Sequence, residues 1–133
     1  MQEEEQKPLT HYFVNDVETD GQSPLYSSML SFATIVVRED GRIVGEFEAV
    51  LEPRSDKEPH PDTMAFWKTQ PEAWAAATNN PQRPKEVMTK FAQWVKTFAG
   101  PRSFAARPLM FDGIWMEHYL REFTDYYLLD VPY

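Results

Sequence analysis

Apolar and polar residues alternate along this chain with the two periods that are typical of strands and helices. Three segments near the N-terminus predict strands, over residues 10–18, 29–37 and 43–51. The second is almost wholly apolar or small, which favours a strand covered on both faces, whereas the third alternates and is expected at a sheet edge. Glu39-Asp40-Gly41 lies between the last two and indicates a hairpin turn.

The rest of the chain is expected to be mainly helical. Apolar spacing behind prolines and capping residues predicts four helices, over residues 63–68, 71–78, 84–98 and 113–123. Asp62 is expected to cap the first of them. A fourth strand is predicted over 103–111 and the beginning of a fifth over 126–133. This order indicates one α/β domain with a mixed sheet.

Two carboxylates lie two residues apart at the end of the first predicted strand. Successive strand side chains point to opposite faces, so Asp16 and Glu18 share a face, while Val14 and Val17 are expected to help fill the interior. Asp112 follows a second apolar run. Parallel neighbouring strands would bring these ends together, at the edge where ligands bind in open α/β sheets.

Three acids at one such edge predict a site for two divalent cations. Mg²⁺ and Mn²⁺ prefer oxygen ligands, which Asp16, Glu18 and Asp112 supply. Simpler readings also exist. Asp112 could only cap its helix, and the other two acids could be polar residues at a strand-to-turn junction.

Composition and charge narrow the class of protein. At 133 residues and 42% hydrophobic, the chain can form one domain with a sizeable core. It contains no cysteine and no apolar run of about 20 residues, which favours a cytoplasmic protein with no membrane partner. The net charge of −8 argues against binding nucleic acid through a broad basic surface. Bound cations could still offset that charge at a strand end.

Aromatic residues near the predicted site have two readings each. Phe66 and Trp67 form a bulky pair on a short helix, which favours core packing but also allows stacking against a terminal base. Trp115 lies closer to the Asp112 side of its helix, whereas His118 points well away from it.

These residues resemble the DEDD (DnaQ-like) 3′–5′ exonucleases, in their exoribonuclease-like branch. The segment Asp16-Val17-Glu18-Thr19-Asp20-Gly21 matches the first family motif, Asp-x-Glu-Thr-x-Gly. Phe111-Asp112-Gly113 ahead of a helix is similar to the second motif. Residues 63–73 are similar to a stretch in a branch that includes bacterial exoribonucleases and a phage exonuclease.

The resemblance implies a ribonuclease H-like mixed sheet, with three antiparallel strands followed by parallel strands and flanking helices. It also implies an exonuclease that acts by a two-metal mechanism on the 3′ end of RNA or single-stranded DNA. Asp16 would bridge both ions, Glu18 would bind the ion carrying the attacking water, and Asp112 would help hold the second ion. The substrate-binding residues placed beside these acids are Thr19, Gly21, Phe66, Trp67 and Trp115.

One family feature has no match. The third motif, a His or Tyr general base followed by an Asp, normally lies several tens of residues beyond the second, on a last helix. Tyr126 and Asp130 have a similar spacing but follow Asp112 too closely.

The domain is therefore expected to be incomplete, and this chain is expected to bind metal weakly and to cleave poorly or not at all. We expect a disordered acidic lead-in over residues 1–9 and a single exonuclease-like domain over 10–133, C-terminally incomplete and lacking its last helix. A non-catalytic nuclease-fold module for protein or nucleic-acid binding is the alternative function. The aromatic residues also allow a homodimer, which the resemblance favours.

Overall fold

A five-stranded mixed sheet lies at the centre of the computed structural model, which describes residues 7–126 and 131–132. The strands are β1 (His11–Thr19), β2 (Met29–Arg38), β3 (Ile43–Val50), β4 (Arg102–Ala105) and β5 (Val131–Pro132). Their order across the sheet is β3-β2-β1-β4-β5. The first three strands are antiparallel and the last two run parallel to β1, as the family resemblance implied.

Four helices follow the three antiparallel strands or surround β4. They are α1 (Pro61–Lys68), α2 (Pro71–Thr78), α3 (Pro84–Val95) and α4 (Leu109–Phe123). Within the described part of the chain, none of them is long and apolar enough to cross a membrane.

The main core lies between one face of the sheet and helices α3 and α4. Phe13 and Val17 of β1 point into it, together with Phe32 of β2. The ring of Phe91 from α3 meets Phe32 edge-on, with the ring centroids 5.1 Å apart. Gly45 lets β3 approach this layer, because an added Cβ there would lie 2.8 Å from the ring of Phe98. One face of β1 is therefore fixed by packing, and Asp16 and Glu18 lie on its other face.

The outward face of the sheet is more exposed than the sequence suggested. Val14 is 44% exposed, so the prediction that it fills the interior is wrong: it has the same strand parity as Asp16 and points the same way. Ile35 of β2 is 40% exposed, so β2 is not covered on both faces either. The prediction that β3 is an edge strand is confirmed among the described strands.

Some element boundaries differ from those predicted. The first helix begins at Pro61 and its cap is His60, whose Nδ1 accepts a hydrogen bond from the backbone N–H of Asp62, so Asp62 is not the cap. Helix α3 ends at Val95, three residues before the predicted end. Of the fifth strand, only residues 131–132 belong to the described part of the chain.

The largest difference concerns the approach to Asp112. Strand β4 ends at Ala105, and α4 begins at Leu109 instead of behind Asp112. Pro108, which follows a cis peptide bond, occupies the position just before the helix. A short apolar run such as 109–111 fits a strand and a helix turn equally well, which is why periodicity could not separate them. Asp112 consequently lies inside the first turn of α4.

Candidate active site

Asp112 is hydrogen-bonded directly to the strand that carries the other two acids. Strand β4 pairs with β1 only as far as Val14, opposite Ala105. Val17 lies beyond that last pair, and its backbone N–H donates to Asp112 Oδ2 at 3.0 Å. Asp112 is 4% exposed, so this bond is shielded from water. The first turn of α4 is thus held against the C-terminal half of β1.

The three carboxylates lie close enough to influence one another. The pKa of Glu18 is raised, first by burial and then by the negative charges of Asp16 and Asp112. Burial also raises the pKa of Asp112, and Asp16 adds to that rise, whereas the bond from Val17 opposes it. Like charges held together in a partly buried site repel unless a cation or a proton intervenes. The structure therefore brings together the three acids that the sequence singled out.

The chemistry of this donor set suits hard divalent cations. All three side chains offer carboxylate oxygens, and their mutual repulsion would fall on binding a positive ion. Across residues 7–126 and 131–132, however, no three His, Cys, Asp or Glu side chains are already arranged to hold one metal ion. The residues fit the group chemically, and their roles as ligands stay a prediction.

The residues that follow Glu18 build a tight, buried turn. Thr19 Oγ1 donates to the carbonyl of Gly21 at 2.6 Å. Asp20, which is 3% exposed, accepts at its Oδ1 from the N–H of Ser28, and its own N–H donates to the carbonyl of Ser28. A Cβ on Gly21 would lie 1.9 Å from Ser27 Oγ, so this position requires glycine. The second half of the motif thus fixes the loop beside the acids.

Helix α1 is attached to the same strand end by one side chain. Trp67 Nε1 donates to the carbonyl of Thr19 at 2.9 Å. Nearby, Glu18 pairs with Ser31 and Thr19 with Met29, so Leu30 is an extra residue in β2, and it packs against Trp67. Trp67 is 6% exposed, which makes it mainly a structural contact.

The other two aromatic residues predicted to bind substrate differ in their exposure to solvent. Phe66 is 59% exposed beside Trp67, so its ring is free to meet a ligand. Trp115 is 1% exposed within the core, where it packs near Tyr119. Its ring is not accessible to a nucleotide, and the placement of Trp115 among the substrate-binding residues is wrong. It shares the Asp112 side of α4, but that side is the one that packs on the sheet.

A cavity of about 330 Å³ lies on the outward face of the sheet, next to two of the acids. Side chains at its rim and floor include Asp16, Glu18, Ser31, Ala33 and Glu48, and its opposite wall consists of Trp67 and alanines of α2. Glu48 was not predicted as a site residue. Its even spacing along β3 was visible in the sequence, but only the strand register shows that it lies in line with Asp16.

The candidate for the third family motif lies elsewhere. The ring of Tyr126 is in cation–π contact with Lys96 at 5.5 Å and with Arg102 at 6.0 Å. Arg102 begins β4, whereas Asp112 lies beyond the other end of that strand. Tyr126 is therefore not placed to act as a general base with Asp112. Asp130 lies outside the described residues.

Structures of exonuclease I have a fold similar to that of this chain. The structure of E. coli exonuclease I in complex with an oligonucleotide matches this chain with a TM-score of 0.65 at 13% sequence identity. The match covers 84% of this chain and 24% of the exonuclease I chain. An ExoI/SSB-Ct complex has a TM-score of 0.67 at 17% identity, with 90% and 25% covered. Exonuclease I from Methylocaldum szegediense has a TM-score of 0.65 at 19% identity, with 84% and 23% covered. The chain thus spans about a quarter of these structures.

At these identities the structures establish the ribonuclease H-like exonuclease fold, which confirms the predicted fold class. No curated protein matches the chain by sequence. The model of the 3′–5′ exoribonuclease Rv2179c-like domain matches residues 10–131, which is nearly the whole chain. The chain therefore belongs to the Rv2179c-like family of 3′–5′ exoribonuclease domains and has the fold of the DnaQ-like exonucleases.

Proposed function

We propose that this protein removes nucleotides from the 3′ end of RNA or single-stranded DNA. The observation that carries the proposal is the hydrogen bond from Val17 to Asp112, which places the α4 acid beside Asp16 and Glu18. The description of the matching family supports the 3′–5′ direction. The exonuclease I structures that contain oligonucleotides support a single-stranded ligand.

The three acids would serve as ligands for two Mg²⁺ or Mn²⁺ ions. Such a pair of ions activates a water molecule and stabilises the leaving oxygen in phosphodiester cleavage. Asp16 would bridge the two positions, Glu18 would bind on the side of the attacking water, and Asp112 would bind on the other side while keeping its bond to Val17.

Residues next to the acids would hold the end of the strand. The hydrogen-bonded turn at Thr19 and Gly21 would lie against the terminal nucleotide, and the exposed ring of Phe66 would stack on a base. Water oxygen bonds to the phosphorus while the bond from phosphorus to the 3′ oxygen of the preceding nucleotide breaks. A nucleoside 5′-monophosphate leaves, and the shortened strand gains a proton on its 3′ oxygen.

The test compares Asp16→Ala with Glu46→Ala in the full chain. Both positions are exposed on the outward face of the sheet, but Glu46 does not line the cavity. With Mn²⁺ and a 5′-labelled single strand, we expect the wild type and Glu46→Ala to shorten the strand slowly from its 3′ end, because Tyr126 is not placed to act as a general base. Asp16→Ala should lose both hydrolysis and Mn²⁺ binding measured by calorimetry. Full activity in Asp16→Ala would contradict the proposal.

The alternative function is a non-catalytic module that binds protein or nucleic acid. The position of Tyr126 and the lack of a ready metal arrangement among the described residues favour it. Wild-type protein that binds a labelled single strand but leaves it intact with Mg²⁺ and with Mn²⁺ would establish this reading instead.

A further inference from the structure

A second carboxylate faces Asp16 across the cavity floor. In the sheet register, Asp16 pairs with Ala33 and Ala33 pairs with Glu48, so the three residues form one row on the same face. Adjacent strands lie about 4.8 Å apart, which separates the backbones of Asp16 and Glu48 by about 10 Å. Only the methyl group of Ala33 lies between them. The row therefore leaves an open trough with a carboxylate at each end.

The trough has the size and walls of a site for one nucleotide. Its volume of about 330 Å³ is at the low end of the roughly 300–1,000 Å³ range of small-molecule sites. Ala73, Ala76 and Ala77 of α2 form an apolar wall beside it, and Ser31 adds a hydroxyl to its floor. A flat base fits against alanines, and small floor residues leave room for a sugar.

We propose that Glu48 accepts a hydrogen bond from the 2′-hydroxyl of the terminal ribose, so that the site selects RNA ends over DNA ends. This inference rests on the proposed function, because it takes the terminal phosphate to lie beside Asp16 and Glu18. The sugar of that nucleotide then lies one strand further, over Ala33, with its hydroxyls toward Glu48.

The chemistry of the carboxylate explains the selectivity. Ionised Glu48 can only accept hydrogen bonds, and it is exposed, so its oxygens are available to a ligand. A 2′-hydroxyl is a donor that deoxyribose lacks. Hydrogen bonds to charged groups are stronger than neutral ones. Ala33 separates Glu48 from Asp16 in the row, and no group of three His, Cys, Asp or Glu side chains among the described residues is arranged to hold a metal ion with Glu48 as a member.

The first arm of the test measures hydrolysis of two oligonucleotides that differ only in the sugar of the 3′-terminal nucleotide. We expect wild type and Glu46→Ala to prefer the ribose end at least tenfold in kcat/KM. Glu48→Ala should reduce that preference to within twofold by lowering kcat/KM on the ribose end, and Glu48→Gln should keep part of the preference. An unchanged preference in Glu48→Ala overturns the inference, as does a loss that follows the identity of the terminal base.

The second arm measures binding without hydrolysis. Adenosine 5′-monophosphate and its 2′-deoxy counterpart are titrated into the protein with Mg²⁺ by NMR, and only the ribonucleotide should bind more weakly to Glu48→Ala. If no oligonucleotide is cleaved but this difference persists, the proposed function fails and sugar recognition stands. If cleavage occurs but the two nucleotides bind equally, or neither binds, sugar recognition by Glu48 fails.

Discussion

Asp112 combines a structural contact and a chemical one in a single side chain. One of its oxygens accepts from Val17 and thereby holds α4 to β1, while its charge interacts with Asp16. The backbone N–H of Asp112 itself also lowers the pKa of this carboxyl, as expected for a helix cap, but the bond from Val17 connects Asp112 to a neighbouring strand. The bond to a neighbouring strand explains why an acid is buried here despite the nearby negative charges.

Asp112→Asn separates these two contacts, because the amide oxygen can still accept from Val17 while the charge is lost. We expect hydrolysis with Mn²⁺ to fall about 100-fold or more, as for other groups that stabilise transition-state charge. The free energy of unfolding at neutral pH should be equal or higher, since a repelled buried carboxylate disappears. Single-turnover assays and urea denaturation measure the two effects.

Asp112→Ala is the matched comparison. It leaves the buried N–H of Val17 without its acceptor, which costs about 1–3 kcal/mol of unfolding free energy. If both variants unfold alike, the bond to Val17 contributes nothing and the charge alone matters. If Asp112→Asn retains wild-type hydrolysis, Asp112 is not part of the catalytic group.

At the scale of elements, the packing of α1 against β1 separates a structural side chain from an exposed one. Trp67 and Phe66 are neighbours on α1, yet one is 6% and the other 59% exposed. The extra residue Leu30 in β2 provides the surface that Trp67 covers, and the Thr19 carbonyl accepts its indole N–H. Of these two adjacent aromatic residues, Trp67 therefore packs within the fold, whereas the ring of Phe66 lies at the surface.

Trp67→Phe and Phe66→Ala test this division. The first removes a buried hydrogen bond to Thr19 and part of a packed ring, so unfolding free energy should fall by about 1–3 kcal/mol. The second changes an exposed side chain and should shift stability by no more than about 0.5 kcal/mol. Hydrolysis by Phe66→Ala should show a raised KM with little change in kcat. The reverse pattern of stabilities in thermal melts would contradict this assignment.

Sequence periodicity was sufficient for some elements and insufficient for others. The first three strands and α2 were predicted within a residue, because alternation and prolines define them locally. The start of α4 was missed because an apolar run has no period of its own. Glu48 was missed for a different reason. Its position in line with Asp16 depends on how β1, β2 and β3 pair with one another. The local pattern of residues predicts helices and strands, whereas strand register decides which side chains lie in line across the sheet.

Chain topology concentrates negative charge at one place on the molecule. Strand β1 lies in the middle of the sheet, so its C-terminal half is flanked by β2 on one side and by α4 on the other. The net charge of the chain is −8, and of the acids at this position Asp16 is exposed, Glu18 is partly buried and Asp112 is buried. Divalent ions should therefore stabilise the molecule through this site and only weakly through the rest of its surface.

Stability as a function of pH and Mn²⁺ tests this expectation. Folding raises the pKa values of Glu18 and Asp112, so both groups favour the folded state only while protonated. That contribution is present at low pH and is lost as pH rises through their folded pKa values. Mn²⁺ is expected to bind the ionised forms, and at 100 times its Kd it should add about 2.7 kcal/mol at neutral pH, a rise in Tm of roughly 10 °C.

Near pH 4, where protons compete for these carboxylates, the effect of Mn²⁺ on Tm should nearly vanish. Asp112→Asn should reduce the neutral-pH rise, whereas Glu46→Ala should preserve it, because Glu46 does not line the cavity. Differential scanning calorimetry at both pH values measures all three proteins. An equal rise at both pH values, or one that Asp112→Asn leaves intact, would show that Mn²⁺ binds elsewhere on the acidic surface.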